Sequence, residues 1–430
     1  MKPQLFTNIR IFDGNGTKPF AGEVLVEDNR IKTVAKGGKI ARDGAEVIDG
    51  GGNTLMPGLT EAHGHITYTN ISRLFQLGEV PPEEHILITA EHAKLMLDCG
   101  FTSVYSAASS KPRTEIVVRN AINAGKIPGP RFRAASPEIV ATGGLGDERQ
   151  MHMHHQGIEI IADGADEVRR VVRTMIREGV DTIKINISGD NFVRKGFGKQ
   201  CSYSEAEVAA ASEEAHNRDC WLSCHARSDA SVRLGLKYGF RAIYHCDYAE
   251  GETLDLLEEA KDRIFLAPAV GILYTTAYEA ENFGISREVA EHMEMGKMLE
   301  NCSKLYPELK KRGLRILPGG DYGFAWNPLG TNARDFEHFV NYLGFTPAEV
   351  LMAATKWGGQ IMNYPDLGLV KEGFLADLLL VRGNPLDDVK VFQDRDNLLM
   401  IMKDGAYHKH PGGQNAEGPV RAKQLAAAWE

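Results

Sequence analysis

Eight short apolar runs recur between residues 55 and 321, and helical stretches separate most of them. The runs are LMPGLTEAHGH (55–65), TSVYSA (102–107), RFRAAS (131–136), TIKINI (182–187), WLSCHA (221–226), AIYHCD (242–247), IFLAPAV (264–270) and RILPGGD (315–321). Between them lie segments such as EEHILITAEHAKLMLDCG, ADEVRRVVRTMIREG, SEAEVAAASEEAHNRDC and DASVRLGLKYG, several closing on the glycine that ends many helices. Strand–helix alternation of this kind builds a parallel sheet, and eight strands over about 300 residues predict an α/β chain folded as a (β/α)8 TIM barrel. Functional side chains in that fold sit at the carboxyl ends of the strands.

The two ends of the chain have a different texture. LFTNIRIF, EVLVED, RIKTVA, AEVIDG and NTLM at the start are short strands between turn residues, as are LGLV, ADLLLVRG and LLMIMKDGAYHK near the other end. Neither end buries a core alone, so residues 1–56 and 359–430 are expected to pair into one small β-sandwich domain beside a barrel of residues 57–358. Basic residues number 49 against 58 acidic, a net charge of -9 that argues against nonspecific nucleic-acid binding. Neither a secretory leader nor an apolar membrane span is read. The six cysteines include no C-x-x-C pair, and Cys224 and Cys246 sit in apolar strands, as buried thiols of a cytoplasmic protein would.

Candidate ligands fall where the barrel would present them. His63 and His65 are two apart at the end of the first strand, so both imidazoles face one way. His225, His245 and Asp321 end the fifth, sixth and eighth strands. Lys184 alternates with isoleucines in TIKINI, where an ammonium is costly to bury. Its stem is either snorkelling to the strand end, or it is carboxylated by carbon dioxide into a group that bridges two metals. Arg227 shares the phase of His225 and is a candidate for holding a substrate carboxylate. Tyr68, Tyr274, Phe324 and Trp326 follow strands and point to an apolar or aromatic substrate.

Taken together, MPGLTEAHGH, TIKINISGD, SCHAR, YHCDY, GGDYG and the closing ATKWGGQIMNYPDLGLVKEGFLADLLLVRGNPLDDV resemble the metal-dependent amidohydrolase superfamily over nearly the whole chain. The closest likeness is to its Xaa-Pro dipeptidase and imidazolonepropionase-like arm, which also holds ochratoxinase, molinate hydrolase and phenylurea hydrolase. The resemblance implies two divalent ions, zinc first and manganese, iron or cobalt as alternatives. His63, His65 and Asp321 would hold one, His225 and His245 the other, with carboxylated Lys184 and a water or hydroxide bridging them. Asp321 would carry the proton from the water to the leaving nitrogen, with Lys184 and His245 completing the catalytic set. One departure stands out. Relatives often place a carbonyl-polarising histidine in T-G-G-H-G-D, where this chain has Leu145. His152, His154 or His155, close behind, are the candidates to replace it.

The implied activity is hydrolysis of a carboxamide, urea or carbamate C–N bond in a small, partly aromatic molecule. A dipeptidase or N-acyl amino acid hydrolase, an aromatic amine deaminase and a non-enzymatic scaffold are the alternatives. The expected setting is a cytoplasmic homo-oligomer acting on a small molecule, with no nucleic acid or membrane partner.

Overall fold

The computed structural model describes residues 2–152 and 157–411. Five strands open the chain: β1 (Gln4–Ile11), β2 (Phe20–Glu27), β3 (Arg30–Lys36), β4 (Glu46–Asp49) and β5 (Thr54–Pro57). The middle adds β6 (Leu59–Gly64), β7 (Phe101–Ser106), β8 (Arg131–Arg133), β9 (Ala135–Val140) and β10 (Ile160–Ile161). It continues with β11 (Thr182–Asn186), β12 (Trp221–Ser228), β13 (Ala242–Tyr248) and β14 (Phe265–Ala267). The last strands are β15 (Leu378–Val381), β16 (Leu398–Lys403) and β17 (Ala406–Lys409).

The middle strands pair in parallel, as strand–helix alternation requires, in the orders β6-β7-β8 and β10-β9-β11-β12-β13-β14. Two departures from the sequence reading have local causes. The third run breaks at Ala134 into β8 and β9, and β9 continues to Val140 past the expected end. Residues 315–318 form no ladder, because Pro318 lacks an N–H and two glycines follow it. A few hydrogen bonds carry this segment between the two sheets instead: Leu266 N–H donates to Arg315 O at 2.9 Å, Leu317 N–H to Leu266 O at 2.8 Å and Ala62 N–H to Pro318 O at 3.2 Å. At the other edge Ser109 N–H donates to Ser136 O at 3.0 Å.

The strands of both chain ends run as one branched sheet, in the order β17-β16-β15-β5-β1-β2-β3 with β4 on β1, rather than as two separate stacked sheets. The chain ends meet where β5 and β15 pair antiparallel, Leu55 opposite Leu380 and Met56 opposite Leu379. Alternation explains the unbroken apolar run LLLV. Leu378 and Leu380 pack with Phe6, Val24 and Met400, while Leu379 and Val381 face the large core that holds Met56 and Phe101. A strand buried on both faces has no polar side to show. Arg131 of β8 adds a polar tie, with a forked pair to Asp377 at 2.8 and 3.0 Å and a further bond to Asp404.

Helix Pro82–Asp98 fixes the chain that leaves β6. Its buried His85 and His92 reach the carbonyls of Thr67 and Ile66 at 2.6 and 3.0 Å, immediately after His65. Burial pushes the His92 pKa down to about 4.

Two outcomes follow. Asp377→Ala leaves a buried guanidinium short of its forked partner, and should lower stability by about 3–5 kcal/mol in urea denaturation. Replacing both Arg131 and Asp377 by apolar residues should recover much of that loss. His92 stays neutral when folded, whereas in the unfolded chain it takes up a proton below the ordinary imidazole value of 6.5. Its contribution is therefore full above that pH and lost as pH falls toward 4. Between pH ~7 and ~5 the protein should lose about 2 kcal/mol more stability than His92→Gln does.

Candidate metal centre and substrate pocket

Six side chains singled out in the sequence line one pocket of about 530 Å³: His63, His65, Lys184, His225, His245 and Asp321. Strand geometry puts them there. His63 lies near the end of β6 and His65 just beyond it, Lys184 lies in β11, His225 in β12 and His245 in β13. Parallel register sets Asn186 beside His225, and Ala226 beside His245. His245, Cys246 and Asp321 all have left-handed backbones, with φ of 76°, 59° and 60°. Such conformations cost energy in residues with a Cβ and are held only where the surroundings impose them. Tyr306 supplies part of that constraint by donating its hydroxyl to His245 O at 2.5 Å. Gly319 in turn makes room for His63, since a Cβ there would meet the Cβ and N of His63 at 2.7 Å.

Ligand-type atoms of His63, His65 and Asp321 lie within 4.8 Å of one another. Asp321 Oδ1 is 3.1 Å from His65 Nε2 and 3.8 Å from His63 Nε2. The His225 and His245 rings are 4.3 Å apart, and His245 is 5.3 Å from His63. Burial holds His63, His225 and His245 well below the ordinary imidazole pKa, so all three are neutral. Burial would raise Asp321, but the two imidazoles and Lys184 reverse this and hold it below the ordinary carboxylate range. Neutral imidazoles around an ionised carboxylate make a donor set for a divalent cation. The Nδ1 atoms of His63 and His245 are buried with no hydrogen-bond partner, which such a cation would satisfy.

Several residues near the centre carried no signal in the sequence. Glu61 Oε1 accepts His63 N–H at 2.9 Å and its Oε2 accepts Asn332 at 2.8 Å, and burial pushes its pKa up to about 8. Glu138 lies in register with Lys184, its Oε1 3.8 Å from the Lys184 Nζ. Pro137 obscured it by reading as the end of a strand. Asp190 and Asp247 clamp Arg227. Its Nε donates to Asp190 at 2.5 Å, a terminal nitrogen donates to Asp247, and the guanidinium is 1% exposed. Arg227 does line the pocket, as its strand phase predicted, but two carboxylates of the chain already neutralise it.

The aromatic candidates divide. Tyr68 stacks on His65 at 4.2 Å and meets Phe324 edge-on at 5.6 Å, while Phe324 stacks on Trp326 at 5.2 Å. These three form one wall of the pocket. Tyr274 does not line it and packs among Tyr278, His338 and Tyr342. Leu145 is in the lining, and its carbonyl accepts Asn186 Nδ2 at 3.1 Å. His152 is exposed at a turn and is not part of the lining, and His154 and His155 lie outside the described residues.

Comparison with known proteins places this geometry in context. The amidohydrolase family model matches residues 54–407. Ochratoxinase of Aspergillus niger is 29% identical over 324 residues, covering 70% of this chain and 66% of that protein, just under two thirds of its length. A solved amidohydrolase superposes with a TM-score of 0.81 at 26% identity, covering 95% of this chain and 99% of the other. A Xaa-Pro dipeptidase solved with methionine in its active site gives 0.82 at 25%, covering 95% and 100%. The match across most of its length, with the fold to accompany it, makes this chain a member of the amidohydrolase family.

Proposed function

We propose that the protein is a binuclear metal hydrolase that cleaves a C–N bond of a small, partly aromatic amide, urea or carbamate. The observation that carries the proposal is the convergence of buried neutral imidazoles, two with unpartnered Nδ1 atoms, on ionised Asp321. His63, His65 and Asp321 would hold one cation and His225 and His245 the second, with carboxylated Lys184 between them. When bound, the two cations supply Lewis acidity for the substrate carbonyl and lower the pKa of the attacking water. Asp321 takes the proton of that water on its carboxylate and returns it to the leaving nitrogen. The wall of Tyr68, Phe324 and Trp326 excludes water and receives the apolar part of the substrate.

The relatives support this class of reaction, since ochratoxinase and a Xaa-Pro dipeptidase are among the similar proteins. The clamped state of Arg227 weighs against a substrate that requires a free guanidinium for its carboxylate. Deamination is disfavoured because Asp247, the acid nearest to His245 in sequence, is already paired with Arg227. Among the described residues no helix is long and apolar enough to cross a membrane, and the six cysteines are unpaired thiols, in keeping with a reducing, cytoplasmic setting.

Protein loaded with zinc or manganese should carry close to two equivalents by elemental analysis. Lys184→Ala should retain about one and lose at least 100-fold in kcat/KM on an amide panel. Full activity at one equivalent would overturn the binuclear reading.

A further inference from the structure

The reaction proposed above builds negative charge on the carbonyl oxygen of the substrate. As the water oxygen adds to the carbonyl carbon, the π pair moves onto that oxygen. The pair returns when the C–N bond breaks and the nitrogen leaves with the proton carried by Asp321. A hydrogen-bond donor fixed beside that oxygen is worth a large share of the rate in such a step. Leu145 has no side-chain donor to give, and His152 is exposed and outside the lining. Other donors of the lining are already spent. Arg227 is committed to Asp190 and Asp247, and Trp326 Nε1 donates to Thr276 Oγ1 at 2.9 Å. The four histidines and Lys184 belong to the proposed metal centre, while Ser72, Arg73 and Gln150 are exposed.

Tyr68 remains. It is 2% exposed and lines the pocket, yet among the described residues its hydroxyl has no hydrogen-bond partner. A tyrosine this buried ordinarily satisfies its hydroxyl. Its ring is fixed from several sides. The Tyr68 N–H donates to His65 O at 2.9 Å, the ring stacks on His65 at 4.2 Å, and Phe324 meets it edge-on at 5.6 Å. Gly323, at φ 138°, leaves the space the ring needs, since a Cβ there would meet Tyr68 Cβ at 2.4 Å. The His65 ring that it covers has Nε2 3.1 Å from Asp321 Oδ1, so the phenol stands beside the proposed reacting centre. Phenols ionise near pH ~10 in water, and burial raises this further, so the proton is there to be shared.

We infer that Tyr68 is a further catalytic residue, whose hydroxyl donates a hydrogen bond to the substrate carbonyl oxygen as that oxygen gains charge. The hydroxyl keeps its own proton throughout. It is a donor held in place before the substrate arrives, and it costs no reorganisation during the reaction. The same ring remains part of the apolar wall with Phe324 and Trp326.

This inference rests on the hydrolase reading, and the test keeps the two apart. Tyr68→Phe retains the ring with its contacts to His65 and Phe324 and removes only the hydroxyl. On an amide, urea or carbamate that the metal-loaded protein cleaves, Tyr68→Phe should lower kcat on the order of 100-fold while KM stays within about threefold, because the bond strengthens with the charge of the transition state. Its metal content should equal that of the parent. A phosphonamidate, whose anionic oxygens copy the tetrahedral intermediate, gives a readout without turnover, and calorimetry should show Tyr68→Phe binding it more weakly by at least about 10-fold. An unchanged kcat, or equal affinity of parent and variant for the phosphonamidate, would overturn the assignment, leaving Tyr68 as wall alone and the hydrolase reading intact. A metal equivalent lost in Tyr68→Phe would make the effect structural and overturn it as well. If the parent cleaves no C–N substrate, the hydrolase reading fails and the role given to Tyr68 fails with it.

Discussion

An ionised carboxylate in a dry pocket has to be surrounded by positive charge or by donors, and Asp321 sets that demand for the whole barrel mouth. Everything around it is arranged at a cost. His245 and Asp321 accept left-handed backbones, Gly319 gives up a side chain so that His63 fits, and two imidazole nitrogens stay buried without partners. A protein optimised for stability alone would remove such features, and they cluster where His63, His65 and Asp321 could hold a cation. The helix at 82–98 and the carboxylate of Glu61 then hold His63 and the chain beyond His65 in place from behind.

The second constraint is how the remaining charges are spent. Arg227 is a buried guanidinium of the pocket lining, and Asp190 and Asp247 neutralise it. Asp190 Oδ2 also stands 3.4 Å from His225 Nε2, so the clamp reaches a proposed ligand. Arg227 thus ties β12 to β13 and to the chain after β11. Glu138 lies in the same lining, accepting Asn186 Nδ2 at 3.0 Å and standing 3.8 Å from Lys184 Nζ.

How far the sequence revealed this depended on the range of each interaction. Period-two alternation is local, so His63 and His65, and likewise His225 and Arg227, could be placed on shared faces from spacing alone. The partners of Arg227 could not, because Asp190 comes from a loop and Asp247 from another strand, and only tertiary pairing brings them together. Glu138 was hidden by Pro137, a residue that argues against a strand in general and sits here at an irregular edge. The eighth run forms no strand and only a single bridge, from Ile316 to Leu266, since Pro318 offers no N–H and the glycines after it disfavour extended pairing. Tyr274 followed a strand as Phe324 did, yet the helix Val270–Tyr278 turned it toward Tyr278 and Tyr342. The composite end sheet was legible because neither end carries enough apolar residues to close a core alone.

That shared sheet also orders events during synthesis. The Thr54 hydroxyl bonds Gly383 across 329 residues of sequence, and β5 finds β15 over a comparable separation. Closing so long a loop is entropically expensive and slow, and it cannot begin until β15 has left the ribosome. Until then Met56, Leu55 and their neighbours on β1 and β2 are exposed apolar edges on a nascent chain. A growing polypeptide of this design spends most of its translation time in need of protection from aggregation, and its last strands act as the cover that ends that exposure.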